Sequence, residues 1–258
     1  MMLRKALGIG LLGAVLAAGG MVGAADYGTL PAAEFLRLAS YRCTLQDSFA
    51  QLAGRVTHLR RNTGKAEYYP IFFGVVFQPG VMHGRLLLNG SEGYRLLRKV
   101  GSGVAVTPEK KADAPEIPAE RTLLGHLGME SGDLALSFLD YPVADEEPRD
   151  RVKTVDCRVL LLERPDGGRV KVWISREYLF PLKAEFYAPG EYPGARPERT
   201  LEITGFKEID HYYVVTDLAL LGREWRTRIA FDRCDVGKNS APEARNVFRL
   251  PGTESAGN

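Results

Sequence analysis

The sequence predicts a mainly β protein, built as a large curved antiparallel sheet or half-open β-barrel with covering helices. Apolar and polar residues alternate with period two through the last hundred residues, as in strands with one face in a core and one in water. Turn sequences such as Asn89-Gly90 and Pro165–Gly168 separate these stretches. A meander of about ten strands twists and has edges to protect, so we expect it to curl or close.

One helix is expected ahead of the sheet. Thr29 suits an N-cap and Pro31 suits the first turn, and the apolar residues between Ala32 and Ala39 follow helical spacing. Residues 46–53 also have helical propensity, but they could equally open the first strand.

The strands are expected in two groups. The first group occupies residues 54–99, and Tyr68–Phe77 carries its clearest apolar face. The second group occupies residues 158–231 and has the most regular alternation. Two charged, proline-containing stretches near residues 107–122 and 144–151 are expected to be solvated loops.

A short helix is expected between the two loops, within residues 123–139. Ser131 or Asp133 is its candidate cap, and Phe138 belongs to its apolar face. Tyr141-Pro142 would end it, because the residue before proline is disfavoured in the α region. We expect this helix to help cover the concave face of the sheet.

The N-terminal 25 residues have the pattern of a cleaved secretory signal peptide. A basic Met1–Lys5 segment precedes an apolar run over Ala6–Val22, and small residues lead to a cleavage site near Ala24 or Ala25. A transmembrane anchor is the alternative, but the run is rich in glycine and shorter than the ~20 apolar residues that span a bilayer. No cysteine lies near the site for lipidation, so we expect a soluble periplasmic protein.

Composition is that of one ordinary globular domain, which we expect to occupy residues 26–258. Removal of Arg4 and Lys5 with the signal leaves 32 basic against 32 acidic residues. A charge near zero argues against nucleic acid as a partner, because binding DNA or RNA needs a dense basic face. It does not argue against a lipid.

The chain has three cysteines, at positions 43, 157 and 234. In an oxidising compartment one disulfide is possible, and three buried thiols are the alternative. Cys157 and Cys234 are the expected pair, because both lie where polar residues lead into strands of the second half. No CxxC or Cys/His cluster is present, so no metal site and no cofactor is expected.

No catalytic motif stands out, so the chain is not expected to be an enzyme. There is no G-x-S-x-G, and the four histidines have no metal-ligand spacing. They lie in unrelated contexts and are interpreted as surface or turn residues: His58, His83, His126 and His211.

The remaining candidate site is the apolar concave surface of the sheet. Its residues could simply fill a core, or the curvature could leave a cavity for an apolar ligand. The residues expected to line such a cavity are Phe73, Val75, Phe77, Phe138, Ile174, Phe186, Ile203, Val215, Ile229 and Phe231.

Parts of the second half resemble the outer-membrane lipoprotein-sorting family, the LolA/LolB-like proteins. The stretches Val172–Tyr187, Arg199–Ile209 and Trp225–Ile229 are similar to successive strands of that family. Gly132–Leu139 is similar to its short helix before the second half. The resemblance spans roughly residues 54–232, and its motifs are structural.

This resemblance implies a half-open antiparallel barrel closed by helices. It implies that the cavity binds lipoprotein acyl chains or another lipid and carries them between membranes, with membrane-associated donor and acceptor proteins as partners. It implies no catalytic residue. A periplasmic sensor or regulatory module on the same fold and a scaffold with a filled core remain alternatives, as does an enzyme with an unrecognised site.

Overall fold

A computed structural model describes residues 27–42, 44, 47–109, 118, 121–191 and 194–250. The expected signal peptide, residues 1–25, lies outside the described residues, and so does Cys43. Within the described residues no helix is long and apolar enough to cross a bilayer.

The described chain forms two α-helices and twelve strands. Their bounds are α1 (Ala32–Arg42), β1 (Ser48–Arg60), β2 (Ala66–Gln78), β3 (Val81–Leu88), β4 (Glu92–Lys99), β5 (Gly103–Pro108), α2 (Leu123–His126), β6 (Val143–Val152), β7 (Val155–Glu163), β8 (Arg169–Ser175), β9 (Pro181–Tyr187), β10 (Arg199–Ile209), β11 (Tyr212–Gly222) and β12 (Trp225–Lys238). Short 3₁₀ helices lie at Tyr27–Thr29, Ser137–Asp140 and Pro242–Asn246.

All twelve strands belong to one antiparallel sheet, in the order β5-β4-β3-β2-β1-β12-β11-β10-β9-β8-β7-β6. Each half of the chain is a meander, and the pairing of β1 with β12 joins the two halves. The sheet is open, because β5 and β6 form its two edges instead of pairing with each other. The mainly β, antiparallel fold expected from the alternation is confirmed.

The sheet bends around α1. Arg98 on β4 and Arg158 on β7 both contact the α1 region, through Ser40 and the ring of Phe35. Nine inter-strand steps separate these strands in the sheet, about 43 Å if it were flat at ~4.8 Å per step. A helix of 11 residues is only about 16 Å long. Both halves must therefore curve towards the helix, and their inner faces share one apolar core.

Helix α1 forms where the sequence predicts a helix. Phe35, Leu36 and Ala39 are buried on one face, and Glu34 and Arg42 lie in the first and last turns, where the helix dipole favours their charges. For residues 46–53 the sequence allows either a helix or the start of the first strand. The structure has strand β1 there from Ser48 onward.

The expected loop at residues 144–151 is instead strand β6, and the loop prediction is wrong there. Charged side chains are tolerated because β6 is an edge strand that borders solvent. Its proline, Pro148, lies in a register shift between Glu147 and Asp150, where a missing N–H costs no ladder bond. In the other expected loop, β5 continues to Pro108, and residues 110–117 and 119–120 lie outside the described residues.

The single helix expected within residues 123–139 is two short pieces. Thr122 caps α2 by accepting a hydrogen bond from the amide of Gly125 at 3.0 Å. The helix ends near Gly128, whose φ of 67° is strained for any residue with a side chain. Asp133 accepts a hydrogen bond from the preceding Glu130 amide at 2.8 Å, so it stabilises a turn instead of capping a helix.

The expected disulfide between Cys157 and Cys234 is absent, because both cysteines are free thiols. Cys157 lies on β7 and Cys234 on β12, with four strands between them in the sheet. Five inter-strand steps cover roughly 24 Å along the sheet, whereas a disulfide needs Cα atoms within about 7 Å. Burial raises the pKa of the Cys157 thiol to about 11.

After β12 the chain crosses the outer face of the sheet as a C-terminal strap, residues 242–250. Gln51 on β1 donates hydrogen bonds to three strap carbonyls, of Asn246, Val247 and Arg249. Gly74 on β2 makes the close approach possible, because a Cβ at this position would collide with the Val247 carbonyl. The strap therefore belongs to the outer face, and the inner face is covered by other segments.

Candidate functional site: the covered inner face of the sheet

The ten apolar residues expected to line a cavity all lie in one buried cluster. Each of them is no more than 5% exposed. Nine come from strands, and Phe138 comes from the 3₁₀ helix that packs on the sheet. The structure therefore brings the predicted residues together, and whether they line a ligand cavity stays a prediction.

Strand register explains this convergence. Ile229 on β12 lies opposite Leu218 on β11, which lies opposite Ile203 on β10, so one apolar row crosses three strands. In the first half, Phe73 on β2 lies between Leu52 on β1 and Leu86 on β3. Because successive side chains alternate between faces, every second residue joins the same inner surface wherever the register is unbroken.

A covering segment, residues 121–141, lies on this inner surface together with α1. Eight of its apolar side chains are no more than 7% exposed: Leu124, Leu127, Met129, Leu134, Ala135, Leu136, Phe138 and Leu139. The ring of Phe138 meets that of Phe186 on β9 edge to face, at a centroid distance of 5.8 Å. Parts of the interior that a ligand would occupy are thus filled by the protein's own side chains.

Three buried arginines hold the cover to the inner face. The first is Arg98 on β4, which is 1% exposed. It donates to both carboxylate oxygens of Asp140 at 2.9 Å and to the Ser40 hydroxyl at 2.6 Å. Ser40 in turn donates to Asp140 at 2.8 Å. This triad joins β4, α1 and the covering segment.

The second arginine, Arg158 on β7, joins the N-terminal residues to the other half of the sheet. It donates two hydrogen bonds to the carboxylate of Glu146, at 2.7 and 2.6 Å, and one to the carbonyl of Leu30 at 2.7 Å. Its guanidinium lies 4.6 Å from the ring centroid of Phe35. The hydrogen bonds to Glu146 lower the pKa of that carboxyl.

The third arginine, Arg199 on β10, binds the covering segment through Asp133. It donates to both carboxylate oxygens, at 2.9 and 2.8 Å, and its guanidinium stacks 3.8 Å from the ring centroid of Phe186. Burial raises the pKa of Asp133, against the opposing charge of Arg199. Phe186 is therefore in contact with protein groups on more than one side.

A polar cluster lies where the covering segment meets β1, β2 and β12. His58 donates from Nδ1 to the Thr227 hydroxyl at 2.8 Å, and that hydroxyl donates to the Leu127 carbonyl at 2.6 Å. This order of donors assigns the proton of His58 to Nδ1, and Nε2 has no hydrogen-bond partner among the described residues. Burial, with a smaller effect of His126, lowers the pKa of His58.

His126 completes this cluster on the solvent side. Its Nε2 donates to the carboxylate of Glu67 at 2.7 Å, and Arg60 donates to its Nδ1 at 3.1 Å. The hydrogen bond from His126 is the main reason that the pKa of Glu67 is lowered. The interpretation of His58 as a surface or turn residue is therefore wrong, because His58 is 1% exposed. His126 is partly exposed and links the cover to Glu67 on β2.

These polar groups are arranged for structure more than for chemistry. The Thr227 hydroxyl gives its proton to a carbonyl and not to a base, so it is not set up as a nucleophile. The carboxylates of Asp140 and Asp133 are each held by a buried arginine. No group of three or more His, Cys, Asp or Glu side chains in the described ranges could hold a metal ion.

Two cavities lie on the outer face. One of about 350 Å³ is bordered by Arg85, Arg95, Leu97 and Phe248, and one of about 300 Å³ is bordered by Phe72 and Leu250. Neither is lined by any of the ten predicted residues.

The sequence contains a signal for two of these buried polar residues, Arg98 and His58. Arg98 continues the inner-face series of Tyr94 and Leu96 at period two, and His58 continues that of Val56. A polar residue at an apolar position of the alternation indicates a buried, paired group. The partners of Arg98 cannot be identified from that signal, because Ser40 lies 58 residues away in the chain and Asp140 lies 42 residues away.

This open antiparallel sheet, bent around a helix and a short covering segment, is a LolA-like fold. Solved structures with the same fold include a DUF1329 family protein from Desulfovibrio piger. It is 14% identical, with 84% of this chain and 95% of that chain covered and a TM-score of 0.57.

Two further solved structures have the same fold. A putative outer membrane lipoprotein-sorting protein domain from Vibrio parahaemolyticus is 14% identical, covering 84% of this chain and 98% of that chain, with a TM-score of 0.57. A LolA superfamily protein from Nitrosomonas europaea is 19% identical, covering 84% and 97%, with a TM-score of 0.55. The chain matches no family model and none of the curated proteins.

Proposed function

We propose that the protein is a non-enzymatic periplasmic carrier that binds lipoprotein acyl chains, or another lipid, between the inner face of the sheet and its cover. The likeness to a lipoprotein-sorting domain supports a role of this class. Export by the N-terminal signal would place it in the periplasm, and membrane-associated donor and acceptor proteins would be its partners.

One observation carries the proposal: a large apolar inner surface is covered by short segments and not by more sheet. Residues 121–141 contain one α-helix of four residues and one 3₁₀ helix of four residues. Ion pairs such as Arg98–Asp140 and Arg199–Asp133 attach this segment to the strands. Removing such a cover would expose apolar side chains of the strands. An acyl chain could replace its contacts, because burial stabilises by roughly 0.8 kcal/mol per CH₂.

The experiment is titration of the purified protein with a fluorescent long-chain acyl probe. We compare a lysine placed on the two faces of one strand, in Ile203→Lys and Glu202→Lys. Ile203 is 3% exposed on the inner face, and Glu202 lies on the outer face of β10. We expect Ile203→Lys to abolish uptake and Glu202→Lys to leave it within about twofold, since a surface change away from the site is nearly neutral.

A further variant separates loss of the site from loss of the fold. Ile203→Phe keeps the interior apolar but reduces its free volume, so it should weaken uptake of long chains more than of short ones. Near-ultraviolet circular dichroism checks that each variant is folded. The outward variants Lys183→Glu and Arg226→Glu provide charge controls on other strands. Absence of probe uptake by folded wild-type protein would favour a scaffold with a filled core. An equal loss of uptake in variants of the inner and the outer face would favour the same alternative.

A further inference from the structure

The outer face of the four central strands has an unusual composition. Strand register and the buried partner residues place one set of side chains outward. We call this set the arginine face. It comprises Ala66, Tyr68 and Pro70 on β2, Arg55, Thr57 and Leu59 on β1, Arg226, Arg228 and Ala230 on β12, and Asp217, Ala219 and Leu221 on β11.

The arginines of this face are mostly free of carboxylate partners. Arg228 is paired with Asp217 at 2.6 Å. Among the described residues, neither Arg55 nor Arg226 has an ion pair, and the guanidinium of Arg55 lies 5.8 Å from the ring centroid of Tyr68. The chain as a whole carries a formal charge of only +2, so this is a local concentration of positive charge and not general basicity.

The adjoining turns extend the positive charge. The turn between β1 and β2 holds exposed Arg61 and Lys65, neither of which has a carboxylate partner in the described chain. The amide of Arg61 donates to the Glu224 carbonyl at 2.8 Å, so the β11–β12 turn lies beside it. Glu224 itself is the acidic neighbour of this cluster, and it is outnumbered by the cations around it.

An aromatic residue lies among these cations. Tyr68 is 62% exposed, more than any other large hydrophobic residue among those the structure describes. Leu59 and Leu221 are half-buried on either side of Arg226. Cations interspersed with a tyrosine and aliphatic side chains suit the boundary between lipid headgroups and acyl chains.

We propose that the arginine face docks the protein on an anionic lipid bilayer. Mobile headgroups can each pair with an arginine wherever it lies, whereas an acidic peptide would need a fixed pattern of charges or a groove. Neither outer cavity is lined by Arg55, Tyr68 or Arg226. The inference rests on the proposed function, since membrane-associated donor and acceptor proteins would bring a carrier of acyl chains to a bilayer surface.

The test is co-flotation of the full-length mature protein with vesicles of phosphatidylcholine, with and without phosphatidylglycerol. We expect binding only to the phosphatidylglycerol vesicles and its loss at high salt, where the Debye length falls to about 3 Å at 1 M. The triple variant Arg55→Gln/Arg61→Gln/Arg226→Gln should bind about a hundredfold more weakly, because each arginine near an anionic surface contributes about fivefold.

A matched triple variant controls for net charge. Arg37→Gln/Arg151→Gln/Arg245→Gln removes three exposed arginines from α1, β6 and the strap, and it should bind like the wild type. Tyr68→Ala should cause a smaller loss of vesicle binding. Adding salt to the wild type should not reproduce the effect of this change. Acyl-probe uptake by the Arg55/Arg61/Arg226 triple variant should be unchanged, which separates failure of docking from failure of the carrier function.

Three results would overturn the inference. The first is equal binding to neutral and anionic vesicles, and the second is an equal loss of vesicle binding in the two triple variants. The third is no vesicle binding by a protein that captures acidic proteins through the same arginines. The last result would assign the face to a protein partner.

Discussion

At the scale of single residues, the polar groups under the cover decide how firmly the interior is closed. Three arginines occupy inner positions of the strands, where the alternation would place apolar residues. Arg98, Arg158 and Arg199 each form an ion pair with a carboxylate. Burying such pairs gives little net stability, but breaking one leaves a charge without compensation. The arginines therefore connect the strands to the segments that cover them through specific polar contacts.

The Arg98–Asp140 pair gives a testable case. The two side chains are 1% and 3% exposed, so Asp140→Leu should destabilise the protein by about 3–5 kcal/mol. The double variant Arg98→Met/Asp140→Leu should regain much of that loss, because it removes both charges. Urea unfolding of the wild type, both single variants and the double variant forms a thermodynamic cycle. Additive losses would show that the pair is not coupled.

His58 predicts a pH dependence of stability. Its pKa is lowered in the folded state, so the unfolded chain binds the proton first as the pH falls. The contribution of neutral His58 is present above the unfolded value of about 6.5 and is lost as the pH falls from there towards the lowered folded-state pKa. We expect His58→Asn, which can still donate to Thr227, to flatten the stability profile between about pH 7 and 5. Parallel profiles for the two proteins, from urea unfolding at each pH, would contradict this assignment.

At the scale of elements, packing and paired edges override local composition. Residues 144–151 are charged enough to resemble a loop, yet they pair with β7 as an edge strand. Residues 123–139 have a helical apolar pattern, yet Gly128 and the αL conformation of Leu136 divide them. Gly128 lies so close to the ring of Trp225 that a Cβ would collide with it, so the break is set by contact with β12.

The strap offers a prediction at this scale. Gly74→Val should push the strap off the outer face, because the new side chain would occupy the place of the Val247 carbonyl. Gln51→Ala should loosen the same segment by removing three hydrogen bonds. Hydrogen exchange of amides in residues 242–250 should increase in both variants, while Thr57→Ala, on the same strand but away from the strap, should have no effect. Unchanged exchange in Gly74→Val would refute the steric argument.

At the scale of the whole molecule, the open sheet and its cover form one continuous apolar core. In the proposed carrier, an acyl chain would enter that core by displacing side chains of the covering segment that pack on the sheet, such as Phe138 on Phe186. Loading and opening of the cover are therefore expected to be one event in the proposed carrier.

This coupling can be measured. At a ligand concentration of about 100 Kd, loading should stabilise the protein by about 2.7 kcal/mol, provided that only the folded state binds. Hydrogen exchange should nevertheless increase in residues 121–141, while β1 and β12 keep their protection. Greater protection of the cover on loading would mean that the ligand binds elsewhere, and an acyl probe without effect on either region would argue against the carrier.

Alternation along the chain is enough to predict a mainly β, antiparallel protein and the apolar inner residues such as Phe73, Phe186 and Ile229. Period two depends only on the geometry of a strand, which is local. Helix α1 is predictable for the same reason, since its cap and apolar spacing lie within a few residues of each other.

Long-range placement came only from the tertiary structure. The order of strands puts Cys157 and Cys234 five steps apart and excludes their disulfide, and the bend of the sheet brings Arg98 and Arg158 to the same helix. These contacts join residues that are far apart in the chain, by 58 positions for Arg98 and Ser40 and by 123 positions for Arg158 and Phe35. No local pattern encodes such pairs, because their partners are selected by how the whole sheet closes around its cover.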